Sequence, residues 1–128
     1  MSITAEEKKV LLKSQQGELD AVRMYQALAK VVKDPKDAET FRQLAAEEGR
    51  HAAVFKAMTG EVLQPKNTKA IVIPILYRVI GKKKLYPIIA GKEYDAEKKY
   101  ESVAARFPEV ESVKADERRH GDTVLKLL

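Results

Sequence analysis

The sequence predicts an all-α protein, a four-helix bundle with one long crossover between the second and third helices. Apolar residues recur at helical spacing through four long stretches, and no stretch of any length shows the alternation of a β-strand. The connections between these stretches run short, long and short, whereas a simple up-and-down bundle has short connections only. At 128 residues, the whole chain, 1–128, is expected to form a single domain.

The first predicted helix covers about residues 5–33. Thr4 is followed three positions later by Glu7, which is the spacing of a capping box at a helix start. Apolar residues from Val10 to Val32 then recur at roughly helical intervals. A long amphipathic helix is therefore expected at the beginning of the chain.

The second predicted helix covers about residues 35–59. Asp34 is a good N-cap residue, and Pro35 both ends the preceding helix and suits the first position of the next one. Gly60 follows the last apolar residues and is typical of a helix C-terminus. The first two helices are thus expected to be joined by a very short turn.

Residues 61–84 are predicted to form the long connection. A polar loop comes first, and the apolar segment 70–80 predicts a short helix or turn near 72–80 that covers the core, with a dimer surface as the alternative. Gly81 and the lysines at 82–84 then read as a solvated connector, with a membrane-proximal or partner-docking patch as the alternative. This connection is long enough to return the chain to the other end of a bundle.

The third predicted helix covers about 85–106, with Pro87 tolerated in its first turn. Phe107-Pro108 breaks the pattern, and the fourth helix covers about 109–127. Four helices joined in this way have the connectivity of ferritin-like bundles.

The composition excludes several classes of function. The chain has 24 Lys and Arg against 19 Asp and Glu, but the signs alternate, so no nucleic-acid partner is expected. There is no cysteine, which excludes disulfides, thiolate nucleophiles and iron–sulfur sites. With no secretory signal pattern and no apolar run of the roughly 20 residues that span a bilayer, a cytoplasmic location is expected.

Both histidines of the chain lie three residues after a glutamate. The pairs are Glu48 with His51 and Glu117 with His120, one in the second predicted helix and one in the fourth. Residues three apart share a helix face, so both side chains of a pair can converge on one point. Since glutamate occupies roughly one position in ten, the chance of both pairs is about one in a hundred.

The other two helices share a second pattern, E-x-D-A-x-x-x-Y. It runs from Glu18 to Tyr25 in the first helix and from Glu93 to Tyr100 in the third. Seven residues are close to two helical turns, so each glutamate faces the same way as its tyrosine. The chain therefore looks like one helix pair used twice.

Together these motifs supply one glutamate from each of two helices and one Glu-x-x-His from each of the other two. This is the ligand set of carboxylate-bridged di-metal centres in four-helix bundles. Four carboxylates neutralise two nearby divalent ions, and one imidazole per ion completes each site. Two divalent metal ions are the expected cofactor, and such ligands accept iron, manganese or zinc.

Smaller features surround the proposed ligands. Asp20 and Asp95 are candidate acceptors for the free ring N–H groups of the histidines, with an exposed acid as the plainer alternative. Glu47 is expected to point away from the site. Four glycines lie within two residues of a proposed ligand and suggest close packing or access for a small molecule: Gly17, Gly49, Gly91 and Gly121.

At these residues the sequence resembles the rubrerythrin-like branch of the ferritin-like superfamily, over nearly the whole chain. It looks closest to rubrerythrin-like domains attached to vacuolar-iron-transporter-type membrane proteins, through "KDPKDAETFRQLAAEEGRH", "ILYRVIGKKKLYPIIAGKEYDAEKKY" and "ADERRH". The resemblance implies bridging roles for two glutamates, Glu48 and Glu117, and places Tyr25 and Tyr100 near the site, where a hydrogen-bonded core tyrosine is the plainer reading than a redox role. The iron ligands it implies are Glu18, Glu48, His51, Glu93, Glu117 and His120.

The sequence departs from this family in three ways. It lacks the cysteine-ligated domain that donates electrons in rubrerythrins, so an external electron-donor protein is implied. It matches an extra carboxylate of the third helix only loosely, with Glu97 or Asp95 as candidates. It also lacks the transporter-like membrane segment, so the chain reads either as a stand-alone relative or as a domain of a longer protein.

Three functions remain open at this point. The leading hypothesis is a di-iron oxidoreductase that reduces peroxide or O₂ while Fe(II) is oxidised. The second is an iron-binding or ferroxidase module for storage or for delivery to a membrane iron transporter. The third is a non-catalytic bundle whose polar residues only fix helix register. A homodimer is compatible with all three.

Overall fold

The computed structural model describes residues 2–128 and contains five α-helices in that range. They are α1 (Ala5–Val31), α2 (Pro35–Thr59), α3 (Thr68–Ile80), α4 (Lys82–Ala104) and α5 (Pro108–Leu125). No strand occurs among the described residues. The all-α prediction is therefore confirmed, and a ferritin-like helical fold fits this architecture.

The helix starts and stops follow the local chemistry that the sequence predicts. The backbone N–H of Glu7 donates to Thr4 Oγ1 at 3.1 Å and the N–H of Thr4 donates to Glu7 Oε1 at 2.9 Å, which completes the capping box of α1. Asp34 Oδ1 accepts from the N–H of Lys36 at 2.8 Å at the start of α2. Gly60 ends α2 with a φ of 70°, a conformation that favours glycine.

The long connection is more helical than predicted. The short helix expected near 72–80 is a 13-residue helix, α3, that begins at Thr68. Gly81, with a φ of 79°, separates it from α4, so the lysines at 82–84 form the first turn of α4 and are not a connector. Pro87 consequently lies in the second turn of that helix, and its predicted place in the first turn is wrong.

Packing against α1 explains the added helix. Ile73, Leu76 and Ile80 of α3 pack against buried residues of the core, and Tyr77 Oη accepts from the backbone N–H of Lys33 at 3.1 Å. The preceding loop is also tied to α1, because Gln15 Nε2 donates to the carbonyl of Glu61 at 2.9 Å. Tertiary contacts of this kind decide helix length where local sequence signals are weak.

The apolar core is divided into two clusters. We call them the Phe41 cluster and the Phe55 cluster. The Phe41 cluster includes Tyr25, Leu28, Phe41, Leu85, Ile89 and Val124. The Phe55 cluster includes Leu11, Phe55, Tyr100, Val103, Val110 and Val113. On each of the four long helices, residues of the two clusters lie on opposite sides of a short polar stretch, so the polar residues are enclosed between two apolar regions.

The order of the clusters along each helix gives its direction. α1 and α5 run from the Phe55 cluster to the Phe41 cluster, whereas α2 and α4 run the opposite way. α1 packs against α2, and α4 packs against α5, as two antiparallel hairpins. The segment between α2 and α4 therefore passes from one cluster to the other.

None of the helices described within 2–128 is both long enough and apolar enough to cross a membrane.

Candidate metal centre

Six buried donors meet between the two apolar clusters. They come from the middle of the four long helices, and each is at most 6% exposed. They are Glu18 of α1, Glu48 and His51 of α2, Glu93 of α4, and Glu117 and His120 of α5. The structure thus brings together every residue of the predicted primary ligand set.

The donors divide into two groups that share two members. Glu18 and His51 belong to one group, and Glu93 and His120 belong to the other, while Glu48 and Glu117 belong to both. In each group, one ligand atom from every residue lies within 4.8 Å of the others. A pair of shared carboxylates between two mixed carboxylate and imidazole groups is the arrangement that a two-ion site requires.

Each histidine turns its Nδ1 atom towards the carboxylates. His51 Nδ1 lies 3.0 Å from Glu117 Oε1 and 3.1 Å from Glu48 Oε1. His120 Nδ1 lies 3.1 Å from the same Glu48 oxygen and 3.7 Å from Glu93 Oε2. The two imidazoles stack with their centroids 5.5 Å apart. Glu48 Oε1 therefore lies between the two rings.

The opposite ring nitrogen of each histidine is held by an acid from the facing helix. His51 Nε2 lies 2.8 Å from Asp116 Oδ2, and His120 Nε2 lies 3.1 Å from Glu47 Oε1. A carboxylate on the outer nitrogen fixes the orientation of a ligating imidazole and raises its basicity. Both Nδ1 atoms are consequently left to face the centre of the site.

These two acids correct the sequence prediction. Glu47 does not point away from the site, and the expected acceptors do not contact the histidines: Asp20 accepts instead from the backbone N–H of Lys66 at 2.7 Å, and Asp95 is exposed. The signal was present in the sequence, because an acid immediately precedes each ligand glutamate, giving acid-Glu-x-x-His twice. Only the packing of α2 opposite α5 shows that each acid contacts the histidine of the other helix.

Arg119 joins the two outer acids. Its Nη2 atom contacts Glu47 Oε1 and lies 3.2 Å from Asp116 Oδ1. The pKa of each of these carboxyl groups is lowered, because hydrogen bonds from Arg119 and from the histidine outweigh the effect of burial. Both acids are therefore ionised when they accept from the imidazoles.

Tyr25 of α1 and Tyr100 of α4 each donate a hydrogen bond to the candidate ligand glutamate of the other helix. Tyr25 Oη donates to Glu93 Oε1 at 2.5 Å, and Tyr100 Oη donates to Glu18 Oε1 at 2.6 Å. Burial, followed by the nearby carboxylates, raises the pKa of both phenols far above the usual value. The two tyrosines therefore stay protonated. They orient Glu93 and Glu18, the two glutamates that each belong to only one donor group.

Without a cation, two of the buried carboxyl groups hold extra protons. Burial and the charge of Glu48 raise the pKa of Glu18 to about 8, and burial raises that of Glu117 to about 12. Glu48 keeps its charge, because the neighbouring imidazoles of His120 and His51 outweigh burial and lower its pKa to about 2. Burial is likewise outweighed at His120, whose pKa rises to about 10 beside Glu48 and Glu93. Two of the four buried acids, Glu18 and Glu117, thus relieve the crowding by protonation.

Unpartnered atoms test whether a metal fits. Within residues 2–128, four buried atoms of this site lack a hydrogen-bond partner: Glu18 Oε2, Glu93 Oε2, Glu117 Oε1 and His120 Nδ1. Leaving buried polar atoms unpaired is costly, and all four face the shared centre. Carboxylate and imidazole donors in this arrangement suit divalent transition metals, so the residues fit a metal centre.

Glu97 is not brought into either donor group. Its Oε2 atom accepts from Arg118 Nε at 2.9 Å on the outer side of α4. No other carboxylate of α4 replaces it within the described groups. The primary set of six is therefore what the structure assembles.

The glycines near the ligands have different roles. A Cβ atom on Gly121 would lie 2.5 Å from the ring of Tyr94, so that position is closely packed. A Cβ on Gly17 or Gly91 would meet nothing within 4 Å. Gly17 instead lines a cavity of about 440 Å³ that reaches Glu18, Glu48, Glu93 and Glu117 from the side of α1, α3 and α4. Close packing therefore explains Gly121, whereas access to the cavity explains Gly17.

The helical fold and the buried carboxylate–histidine cluster together fit the class of di-iron proteins. Comparison with protein families agrees: the family model described as Rubrerythrin matches residues 9–128, and the chain belongs to the rubrerythrin family. Comparison with curated proteins and with solved structures gave no significant match. The family and the cluster together indicate a metal and favour iron.

Proposed function

We propose that the protein is a di-iron oxidoreductase that reduces peroxide or O₂ with electrons from two ferrous ions. The observation that carries the proposal is the pair of buried donor groups sharing Glu48 and Glu117. Glu18 and His51 complete one metal position, and Glu93 and His120 complete the other. Manganese and zinc fit the same donors, so the identity and number of ions are part of the proposal.

The proposal includes the finer architecture. The four long helices form a ferritin-like four-helix bundle in one domain, 1–128, with α3 lying in the crossover between α2 and α4. The helix directions support this proposal. α2 and α4 both run from the Phe41 cluster to the Phe55 cluster, so the chain between them must return from the second cluster to the first.

When bound, the metal pair supplies two electrons at one place, so that an oxidant is reduced without release of a radical. The chain's own residues do the rest. The shared glutamates hold the two positions together, and the outer acids keep both imidazoles turned inward. Tyr25 and Tyr100 keep Glu93 and Glu18 in place as hydrogen-bond donors, and the cavity admits a small oxidant. The phenols also stay protonated, which fits orientation better than redox exchange.

An iron-binding or ferroxidase module is the second candidate. It is supported by the excess of carboxylate over imidazole in both groups, because hard oxygen ligands retain ferric iron well. Against it, the exposed charged residues on the cavity lining are four lysines and one aspartate, which disfavours repeated entry of cations by that route. The oxidoreductase therefore remains the leading proposal.

The surroundings of the protein are proposed with the function. An external protein supplies electrons, because the sequence has no cysteine to bind an electron-donating iron site like that of rubrerythrins. A cytoplasmic location is proposed, and so are a homodimer and docking to a membrane iron transporter as partners of the second candidate.

Metal loading followed by oxidant separates the candidates. Protein purified without oxygen and loaded with Fe(II) is given one equivalent of H₂O₂ or O₂, and bound iron and its oxidation state are measured. The oxidoreductase predicts about two iron ions per chain, fast two-electron oxidation and repeated turnover once a reductant is added. Uptake of ferric iron well beyond that amount, with negligible peroxide turnover, supports the ferroxidase module instead.

Glu48→Gln gives the sharpest variant for this test. It keeps the size of the side chain but removes the charge that both donor groups share, so loss of metal at both positions is expected. Glu39→Gln is the matched control, because Glu39 is an exposed acid on the same helix that pairs with Arg42. If wild-type protein binds no metal and gains no thermal stability from Fe(II), the polar residues serve helix register only.

A further inference from the structure

The cavity beside the metal centre has two kinds of surface. Its inner end is formed by carboxylates of the donor groups and by the two tyrosines. Between that end and solvent the lining is mostly apolar, with Ser14 bonded to the carbonyl of Val10. The apolar lining includes Val10, Ala21, Met24, Ile73, Ile88 and Ala96. Its volume of about 440 Å³ lies within the range of pockets that bind small organic molecules, and far exceeds the needs of O₂ or H₂O₂.

The exposed edge of the cavity carries positive charge. Lys13 of α1, Lys69 of α3, and Lys92 and Lys99 of α4 line it and are exposed. No ion pair holds any of these four lysines among residues 2–128, and Asp95 is the one exposed acid in the lining. A mostly apolar cavity with unpaired lysines among its exposed lining residues is complementary to an aliphatic chain that ends in an anionic head.

We infer that this cavity binds an aliphatic carboxylate, chain inward and head among the lysines, and that the substrate of the metal centre is a hydroperoxide carried on such a chain. The inferred substrate rests on the proposed function, because its reduction needs the metal centre. The inferred binding of an aliphatic carboxylate does not depend on that function. The carboxylate head stays at the edge because the inner end is itself lined by carboxylates. An uncharged hydroperoxide group on the chain has no such repulsion.

The reaction that follows is balanced. The O–O bond of the hydroperoxide breaks and takes up two electrons and two protons, giving the corresponding alcohol and one water. The two electrons come from two ferrous ions, which become ferric, and the external donor protein returns them. The chain's contribution is to hold the aliphatic part in the cavity, so that the hydroperoxide group reaches the inner end.

Binding is tested on metal-free protein, so that it does not depend on any reaction. Decanoate is titrated against a fluorescent fatty-acid analogue, and displacement is measured. Saturable displacement by decanoate is expected, with none by acetate, which lacks the chain, or by decyltrimethylammonium, which carries the opposite charge. Equal competition by the cationic chain, or no displacement by decanoate, overturns the inference.

Gly17→Leu fills the cavity. A Cβ at Gly17 meets nothing within 4 Å, and leucine is the better helix former, so the variant is expected to fold. Decanoate affinity should fall by about tenfold or more. Gly91→Leu is the matched control, since Gly91 is also an unobstructed glycine inside a helix but does not line the cavity. Unchanged affinity in Gly17→Leu contradicts the inference.

The lysines are tested by the pair Lys13→Gln and Lys99→Gln together. We expect decanoate binding to weaken by about tenfold, while Lys9→Gln with Lys98→Gln, two exposed lysines of the same helices outside the cavity, leaves it unchanged. Sedimentation with phosphatidylglycerol vesicles tests a lipid surface as the alternative source of the head group. Vesicle binding that is unaffected by Gly17→Leu, without decanoate binding, assigns the lysines to a membrane and overturns the inference.

The substrate class is tested on iron-loaded protein. A hydroperoxide of linoleic acid should oxidise bound Fe(II) faster than H₂O₂ does, and decanoate should inhibit the first reaction but not the second. Oxidation by H₂O₂ alone overturns the inferred substrate and leaves the proposed function standing. Oxidation by neither contradicts the proposed function, whereas the decanoate titration still decides the binding.

Discussion

At the scale of single residues, the site depends on acids that do not face the metal positions themselves. Asp116 and Glu47 each hold the outer nitrogen of a histidine from the facing helix, and Arg119 contacts both. The orientation of both histidines therefore depends on the same three connected residues. Substitution of Asp116 or Glu47 should lower the metal affinity although neither residue is in the proposed ligand set.

Asp116→Ala should weaken metal binding at the His51 position, and Glu47→Ala should weaken it at the His120 position. The expected loss is about 10- to 100-fold in each, because the imidazole loses its orienting acceptor. Competition with a chelator measures the affinity of both positions. Glu39→Ala, an exposed acid of α2, is the control and should bind metal as the wild type does. Wild-type affinity in both test variants would show that the outer acids only bind Arg119.

The stability of the metal-free protein should fall as pH rises from about 5 to 8. The folded pKa of Glu18, about 8, lies above its ordinary value of 4.5, so its contribution is complete below that ordinary value and is lost as pH passes through 8. Glu117 and His120 act in the same direction, since their folded pKa values are also raised. Thermal denaturation at several pH values measures the change.

Glu18→Gln checks the assignment of this pH dependence. Glutamine resembles the protonated acid, so the variant should be more stable than the wild type at pH 8 and should show a flatter profile. Glu6→Gln, at an exposed position of α1, should leave the profile as it is. A wild-type profile that stays flat or rises between pH 5 and 8 would contradict the raised pKa values of Glu18 and Glu117.

At the scale of helices, close approach between α4 and α5 depends on Gly121. A Cβ there would lie 2.5 Å from Cε1 of Tyr94, whose hydroxyl donates to Asp122 at 2.6 Å. Gly121→Ala should therefore destabilise the fold by about 1–3 kcal/mol, the usual cost of overpacking. Gly91→Ala, with open space around it, should instead stabilise α4 by about 0.5–1 kcal/mol.

Denaturant unfolding of the two variants measures both changes. Tyr94→Leu combined with Gly121→Ala should recover part of the loss, because the ring is removed. Equal stability of Gly121→Ala and Gly91→Ala would contradict the close packing.

The sequence predicted the ends of α1 and α2 well because the signals there are local. Thr4 with Glu7, Asp34 with Pro35, and Gly60 act within one helical turn, so neighbouring residues suffice to determine them. The start of α4 at Lys82 was missed, since three lysines in the first turn oppose the helix dipole and read as a connector. Burial of Leu85 and Tyr86 and the ion pair of Lys82 with Asp37 outweigh that local preference.

At the scale of the whole molecule, the metal centre lies between two apolar clusters and draws its donors from both hairpins. Metal should therefore stabilise the entire fold. Adding Zn²⁺ or Mn²⁺ at about 1,000 times its dissociation constant should stabilise the protein by about 4 kcal/mol, if the unfolded chain does not bind. One cooperative thermal transition, shifted upwards as a unit, is expected by calorimetry.

Glu48→Gln should unfold in one transition that added metal does not move. Two separate transitions in the wild type would contradict a single domain over 1–128. A shift confined to part of the unfolding enthalpy would show that only one hairpin binds the ion.

By itself, the sequence determined the helical class and the six primary donors, because periodicity and the i, i+3 spacing of Glu48 with His51 and Glu117 with His120 are properties of a single helix. Only the tertiary structure decided what each donor meets. The reciprocal contacts of Asp116 and Glu47, the bonds of Tyr25 and Tyr100 to glutamates of the opposite hairpin, and the cavity beside Gly17 all join residues far apart in the chain. The relative rotation and spacing of packed helices fix such contacts, and no local pattern encodes them.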